Sequence, residues 1–253
     1  MSTELCATYR IQFHAGFRFS DAAAIADYLV ELGISHLYSS PYLQAAPGST
    51  HGYDVVDYHN VNEELGSAQA HAELCAALQA VGLGQLLDIV PNHMAIVGRE
   101  NPWWWDVLEN GQSSRYAAYF DVEWDPPESK LRNTVLLPVL GDHYGRVLDN
   151  HELHLKREDD ARFVVSYHDH VFPISPRTLD ELLAAAAERC RSDELAFIAD
   201  AFGWLPPSTA TDDSAVRRHR DKEVLRSQLQ HLCRERPEIA TAIDERIAVL
   251  NGD

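Results

Sequence analysis

Gly84-Gln85-Leu86-Leu87-Asp88-Ile89-Val90-Pro91-Asn92-His93 decides the fold of this chain. Gly84 to Val90 is a near-continuous apolar run, the pattern of a strand buried on both faces in a parallel sheet. Immediately upstream, Ser67 to Val81 places Leu74, Leu78 and Val81 at helical spacing. Before that, Ile34 to Ser40 reads as another strand and Phe19 to Leu32 as another helix, with Ile25, Tyr28, Leu29 and Leu32 on its apolar side. Ser20 is the expected N-cap of that helix and Gly33 its C′ glycine. Thr8 to Phe13 supplies a first strand. Strand, helix, strand, helix, strand implies βαβ units and an α/β fold, either doubly wound or a (β/α)8 barrel.

Beyond Pro91 the rhythm breaks. Met94 to Arg177 is rich in aromatic residues and punctuated by Pro and Gly, with strand-like pieces at Thr134 to Leu140 and Arg162 to His168. Such a length exceeds a connecting loop and predicts an inserted subdomain. From Thr178 the chain turns helical: Thr178 and Glu181 have the spacing of a capping box ahead of Leu182 to Arg191, and Pro206-Pro207 separates two later helices. The expected organisation is therefore 1–93, 94–177 and 178–253.

Composition narrows the function. Of 253 residues, 45% are hydrophobic and 24% charged, as in a soluble globular protein with a packed core. A formal net charge of −18 repels phosphate backbones and anionic headgroups, which argues against nucleic acid and membrane surfaces as partners. The start, Met1-Ser2-Thr3-Glu4-Leu5-Cys6, lacks the basic-then-apolar pattern of a leader, and no apolar run approaches the roughly 20 residues of a membrane span, so a cytoplasmic location is expected. Cys6, Cys75, Cys190 and Cys233 are too scattered for a zinc or redox pair and read as small core residues.

Three stretches could carry chemistry. Asp88 interrupts an apolar strand near its end, with Asn92 and His93 following; ligands bind at the carboxyl ends of strands in α/β sheets. Its plainer reading is a carboxylate that ties down a loop. Ser49-Thr50-His51-Gly52-Tyr53-Asp54 lies after the second strand. There the Tyr53 ring suits the C–H side of a sugar while His51 and Asp54 suit its hydroxyls; the alternative is a surface turn. Trp103-Trp104-Trp105 cannot all face one core, so at least one ring should line a cleft or a domain contact. His168-Asp169-His170 has no further ligand cluster around it to make a metal site. No Gly-rich nucleotide fingerprint follows a strand, and there is no Gly-x-Ser-x-Gly elbow.

Five segments taken together resemble the start of the glycoside hydrolase family 13 enzymes, the α-amylase superfamily. They are Ala7 to Gln12, Gly33 to Pro41, Pro47 to Val55, Asp88 to Met94, and Asn101 to Gly111. Asp88 to His93 resembles the superfamily's first signature region. Pro47-Gly48-Ser49-Thr50-His51-Gly52-Tyr53-Asp54 and Asn101-Pro102-Trp103-Trp104-Trp105-Asp106 resemble its trehalose-forming branch. The resemblance implies the N-terminal part of a catalytic (β/α)8 TIM barrel: three strands, a lid subdomain inserted after strand three, and a helical segment before strand four. It implies maltooligosaccharides as substrate, with Tyr53 stacked on a glucose, Asp54 and His93 on its hydroxyls, His51 beside them, and Asp88 and Asn92 bracing the site. No metal or organic cofactor is implied.

The activity implied is intramolecular transglucosylation, in which the reducing-end α-1,4 bond of a maltooligosaccharide is cleaved and the glucose rejoined by an α,α-1,1 linkage. Retention at the anomeric centre needs two carboxyls about 5–5.5 Å apart. The family's nucleophile, acid/base and stabiliser follow strands four, five and seven, so they and the rest of the barrel are expected on sequence beyond Asp253, and this chain alone should be inactive. Two other readings stand beside this one: an α-glucan hydrolase of the same superfamily, and a non-catalytic glucan-binding remnant.

Overall fold

The structure, a computed structural model, describes residues 4–96 and 98–252, so Met1, Ser2 and Thr3 from the reading of the chain's start, Val97 and Asp253 lie outside it. The chain divides into two compact units, one ending at Pro102 and one beginning at Trp103. Its α/β content fits part of a TIM barrel.

The first unit runs β1 (Thr8–Ile11), α1 (Phe19–Ala24), α2 (Ala26–Glu31), β2 (His36–Ser39), β3 (Leu43–Ala45), β4 (Val55–Val61), α3 (Ala68–Ala80) and β5 (Gly84–Leu87). Strands β1, β2 and β5 form a parallel sheet in the order β1-β2-β5. Side chains alternate across it. Ile11, Phe13 and Leu37 point to a core shared with Phe19, Leu29, Leu74 and Leu78 from the helices. The opposite face carries Arg10, Tyr38 and Leu86; Arg10 and Tyr38 are register partners, as are Tyr38 and Leu86.

That second face corrects the expectation of a doubly buried third strand. Leu86 is 37% exposed, because helices cover only one side of this sheet among the described residues. Gly84 on the same face is required: a Cβ there would stand 2.3 Å from the His36 ring of the neighbouring strand.

Other local expectations shift for identifiable reasons. The first helix breaks at Ile25, where φ is −103° and ψ 9°, and it begins at Phe19 with Arg18 as N-cap, so Ser20 lies inside it. Gly33 takes φ +84° directly after the helical segment, the left-handed conformation a glycine permits. Ser67 caps α3 by accepting from the Ala70 amide at 3.3 Å. The β3–β4 hairpin was not legible, since its pairing is irregular and its loop long. Of the four cysteines only Cys233 is buried, and Cys6 is exposed.

The second unit contains α4 (Pro102–Asn110), α5 (Tyr144–Asp149), β6 (Leu153–Arg157), β7 (Phe163–Tyr167), β8 (His170–Pro173), α6 (Asp180–Cys190), α7 (Asp193–Gly203), α8 (Asp213–Glu235) and α9 (Pro237–Asn251). An antiparallel sheet in the order β6-β7-β8 and the last four helices share one core, centred on Phe163, Leu183, Leu195, Phe202, Leu229 and Ile243. The expected boundary between residues 177 and 178 therefore crosses a continuous apolar interior. Thr134 to Leu140 is not a strand; Pro138 lacks an amide for a ladder, and Leu136 is 75% exposed. Thr178 forms no capping box, because its hydroxyl donates to the Ser175 carbonyl at 2.8 Å and α6 starts at Asp180.

A buried charge cluster ties α4 to α8. Glu109 is 5% exposed and accepts from Lys222 Nζ at 2.6 Å and from Arg226. Arg218, Lys222 and Arg226 recur every fourth residue along one face of α8. Arg218 is fully buried, donating to the Pro206 carbonyl at 2.6 Å and to Asn110 Oδ1 at 3.4 Å.

Candidate functional site

The open sheet face positions the first group of candidate residues. Two residues beyond the Tyr38–Leu86 register pair, Asp88 emerges on the same side as Arg10 and Tyr38. Its Oδ2 accepts from the Tyr53 hydroxyl at 2.6 Å and from the Tyr38 hydroxyl at 3.3 Å, and Arg10 Nη2 lies 3.8 Å away. The same Arg10 nitrogen donates to the Tyr53 oxygen at 3.0 Å, and its guanidinium sits 5.5 Å from the Tyr38 ring centre. Asp88 Oδ1 accepts no hydrogen bond from the described residues. Hydrogen bonding to the Asp88 carboxylate pushes the Tyr53 phenol up from its ordinary pKa, because the proton is shared with an anion that would repel a phenolate.

The loop bearing Tyr53 is fixed from within. Gly52 takes φ +78°, and a Cβ there would stand 2.3 Å from the Pro41 carbonyl oxygen, so only glycine fits both the conformation and the space. Ser49 Oγ accepts from the Gly52 amide at 3.1 Å and donates to Asp54 Oδ1. Gln12 Nε2 donates to the His51 carbonyl at 3.1 Å, joining the loop to the end of β1. His51 Nδ1 accepts from the Tyr53 amide at 3.0 Å, which leaves the proton of a neutral ring on Nε2. In that tautomer its 3.7 Å approach to Asp54 Oδ1 is not an ion pair. The loop thus presents an Nε2–H donor on His51 and, on Asp54, an Oδ2 that accepts nothing from the described residues.

His93 and Asn92 belong to a neighbouring stretch. The Tyr58 hydroxyl on β4 lies 2.7 Å from the carbonyls of both Val90 and His93, and the Ala95 amide donates to the Val55 carbonyl at 2.9 Å. These bonds fasten residues 90–95 beside the strand that follows Tyr53 and Asp54. Burial pushes the Tyr58 phenol up. The structure therefore joins Tyr53 to Asp88 and His51 to Asp54. The described interactions of His93 use its carbonyl, and Asn92 is exposed and makes no side-chain hydrogen bond to the described residues.

Sequence reasoning missed Arg10, Tyr38 and Tyr58. For the first two a signal existed: a guanidinium in the middle of a short strand and a tyrosine in the same phase of the next strand. Tyr58 gave none, because the strand that carries it was not expected.

The chemistry available here is that of binding. One aromatic ring, two carboxylates with one uncommitted oxygen each, an imidazole donor and a guanidinium suit a neutral polyhydroxylated ring.

Residues 24–149 match the alpha-amylase catalytic domain family. A Mycobacterium tuberculosis (strain H37Rv) protein named "Putative maltooligosyl trehalose synthase" is 46% identical over 147 residues, which is 56% of this chain and 19% of that protein. The solved maltooligosyltrehalose synthase from Arthrobacter ramosus is 43% identical, with a TM-score of 0.57, over 67% of this chain and 21% of that one. The chain is similar to the N-terminal portion of the maltooligosyl trehalose synthases. An intracellular maltogenic amylase of Bacillus subtilis is more distant, at 32% identity over 120 residues, 47% of this chain and 18% of that protein. The chain spans about a fifth of the length of the synthases it matches.

Proposed function

We propose that this chain is the substrate-gripping part of an enzyme of the maltooligosyl trehalose synthase type, which converts the reducing-end α-1,4 linkage of a maltooligosaccharide into an α,α-1,1 linkage. The observation that carries this reading is the Arg10–Tyr53–Asp88 knot on the uncovered sheet face, formed by segments similar to those synthases. Parallel sheets are ordinarily covered on both sides. A face bearing Arg10, Tyr38 and Asp88 is what the inside of a barrel presents toward its mouth.

In this reading residues 1–93 supply the first three β/α units of the barrel, while the lid insertion 94–177 and the helical insertion 178–253 share one core. Tyr53 lays its ring against a glucose. Asp54 Oδ2 and Asp88 Oδ1 accept its hydroxyl protons, and His51 Nε2 and His93 complete the grip. Arg10 and Tyr38 hold Asp88 and Tyr53 in place before the sugar arrives, so less ordering is left to the binding step. Cleavage requires the carboxylates that family members carry after strands four, five and seven, so this segment binds and does not cleave by itself. Among the described residues no helix is long and apolar enough to cross a membrane; we place the protein in the cytoplasm.

Titrating the isotopically labelled chain with maltopentaose tests the grip. The amides of Gly48, Gly52 and Tyr53 should shift, and Tyr53→Ala should abolish those shifts. Unmoved amides in this loop would overturn the site. Incubation should leave the number of reducing ends constant; turnover by this chain alone would refute the division between gripping and cleaving.

A further inference from the structure

The three adjacent indoles separate by environment. Trp104 is 5% exposed and packs on Phe120 with ring centres 5.0 Å apart, as a core residue does. Trp103, on the next face of α4, stacks on Tyr116 with ring centres 5.1 Å apart and planes within 5°. Tyr119 adjoins the Trp103 ring at 5.2 Å and is 68% exposed. Trp103 and Tyr116 are half-buried, and Tyr119 stands out from them, tilted 50° and 54° to their planes.

The Arg115 guanidinium lies 5.8 Å from the centre of the Tyr116 ring, and Arg115 also lines a cleft of about 870 Å³. That volume falls within the roughly 300–1,000 Å³ of small-molecule sites. The walls of the cleft balance in formal charge: Asp106, Asp212 and Glu223 against Arg115, Arg220 and Lys222. Balanced walls give no net attraction for an anion or a cation, and they offer both donors and acceptors. His219 Nε2 lies 2.9 Å from the Ser113 carbonyl, so it carries the ring proton of the neutral form and leaves Nδ1, 3.9 Å from Asp106 Oδ1, as an acceptor. The exposed Tyr119 ring, backed by the Trp103–Tyr116 stack, beside a polar, charge-neutral trough matches a chain of neutral pyranose rings, which present C–H faces on one side and hydroxyls at their edges.

We propose that Trp103, Tyr116 and Tyr119, with the adjoining cleft reached through Arg115, form a second carbohydrate site, one that takes an α-1,4-glucan segment remote from the reacting end. The choice of α-1,4-glucan rests on the function proposed above; the presence of a sugar site rests on the rings and the cleft. Both lie within the second unit and are independent of Tyr53.

Calorimetric titration of the full chain carrying Tyr53→Ala isolates this site. Maltoheptaose should still bind, shifting the amides of Arg115 and Tyr119. Adding Tyr119→Ala or Arg115→Ala should weaken binding at least fivefold while the circular dichroism spectrum stays unchanged. Both side chains are exposed, so loss of fold is not the expected outcome. Cellohexaose, of the same monomer in β linkage, should bind more weakly. No binding in the Tyr53→Ala chain, or binding indifferent to Tyr119→Ala and Arg115→Ala, would overturn the second site while leaving the first untouched. Equal binding of cellohexaose would overturn the α-1,4 assignment alone.

Discussion

Each unit holds a carboxylate in a cage of basic and aromatic or polar neighbours, and the two cages are built to opposite ends. Glu109 is 5% exposed, and both of its oxygens are engaged by cations from α8. Asp88 has 20% of its side chain exposed; Tyr53, Tyr38 and Arg10 gather on one oxygen, and the other accepts nothing from the described residues. Burial pushes the Glu109 carboxyl up, but Arg226 and then Lys222 outweigh it and hold the group below the usual glutamate range. A carboxylate saturated by fixed charges away from water serves the fold. One half-satisfied on an open face retains capacity for a ligand. A strand-end acid is thus better judged by which of its oxygens is left over than by burial alone.

The comparison breaks most visibly at Glu109. Removing one partner of a buried ion pair leaves uncompensated charge and costs about 3–5 kcal/mol. Here Lys222 and Arg226 would keep only the exposed Glu223 as counter-charge, beside Arg218, whose own guanidinium is already pushed down by burial. Glu109→Gln should lower the melting temperature of the chain by about 10 °C, at roughly 2–4 °C per kcal/mol for a unit of this size. The pH dependence follows from the depressed carboxyl. Its contribution is complete above the glutamate range of the unfolded chain and is lost as pH falls through the lower folded value. Acid melts should therefore be steeper for the unsubstituted chain than for Glu109→Gln, and parallel acid limbs would show that the cage contributes nothing.

Gly52→Ala comes next. It forces a Cβ onto a left-handed φ and against the Pro41 carbonyl, at a cost of about 1–3 kcal/mol. Its consequence should be concentrated on maltopentaose binding, because Ser49, Asp54 and Tyr53 all depend on that turn; a variant that binds normally would show the turn to be dispensable. Asp88→Asn should cost less than about 1 kcal/mol of stability, the scale of a partly exposed pair. It should still abolish the maltopentaose shifts in the 48–53 loop. The sharpest form of the contrast is this reversal: Glu109→Gln large in stability, Asp88→Asn large in binding.

Much of the first unit was legible in the sequence because parallel strands and their helices announce themselves by local periodicity. Leu74 and Leu78 fall on one face of α3, and Leu37 sits inward between His36 and Tyr38. The motif around Tyr53 was legible for another reason: Gly52 and Asp54 mark a turn, and Tyr53 and His51 are chemically suggestive within it. What the sequence did not disclose depends on contacts between distant residues. Arg10 and Asp88 are 78 positions apart and meet only through sheet register. The face of α8 turned inward bears Arg218, Lys222 and Arg226, which by pattern alone belongs in solvent. Only its partner on α4, more than a hundred residues earlier, makes its burial intelligible. Thr178 and Glu181 show the converse: correct spacing for a capping box, undone when the Thr178 hydroxyl finds the nearer Ser175 carbonyl.

The smallest expected effect reads the Asp88 cage directly. Tyr53 donates its phenolic proton to Asp88, which raises its pKa, while the bond from Arg10 acts in the opposite direction. A phenol raised on folding contributes stability below the ordinary phenol range and loses it as pH rises through the folded value, so any effect on folding is confined to the alkaline limb. The hydroxyl is open to solvent, and the energetic consequence is correspondingly minor; the titration is the informative quantity. Following the ring carbon of Tyr53 by NMR in chain labelled at tyrosine, Asp88→Asn should move its midpoint down, because the neighbouring negative charge disappears even though the amide oxygen can still accept. Arg10→Gln should move it up. Movement of both in the same direction, or no movement in Asp88→Asn, would mean that Tyr53 and Asp88 do not share a proton in solution. Asp88 would then not hold the Tyr53 loop, and its contrast with Glu109 would rest on exposure alone.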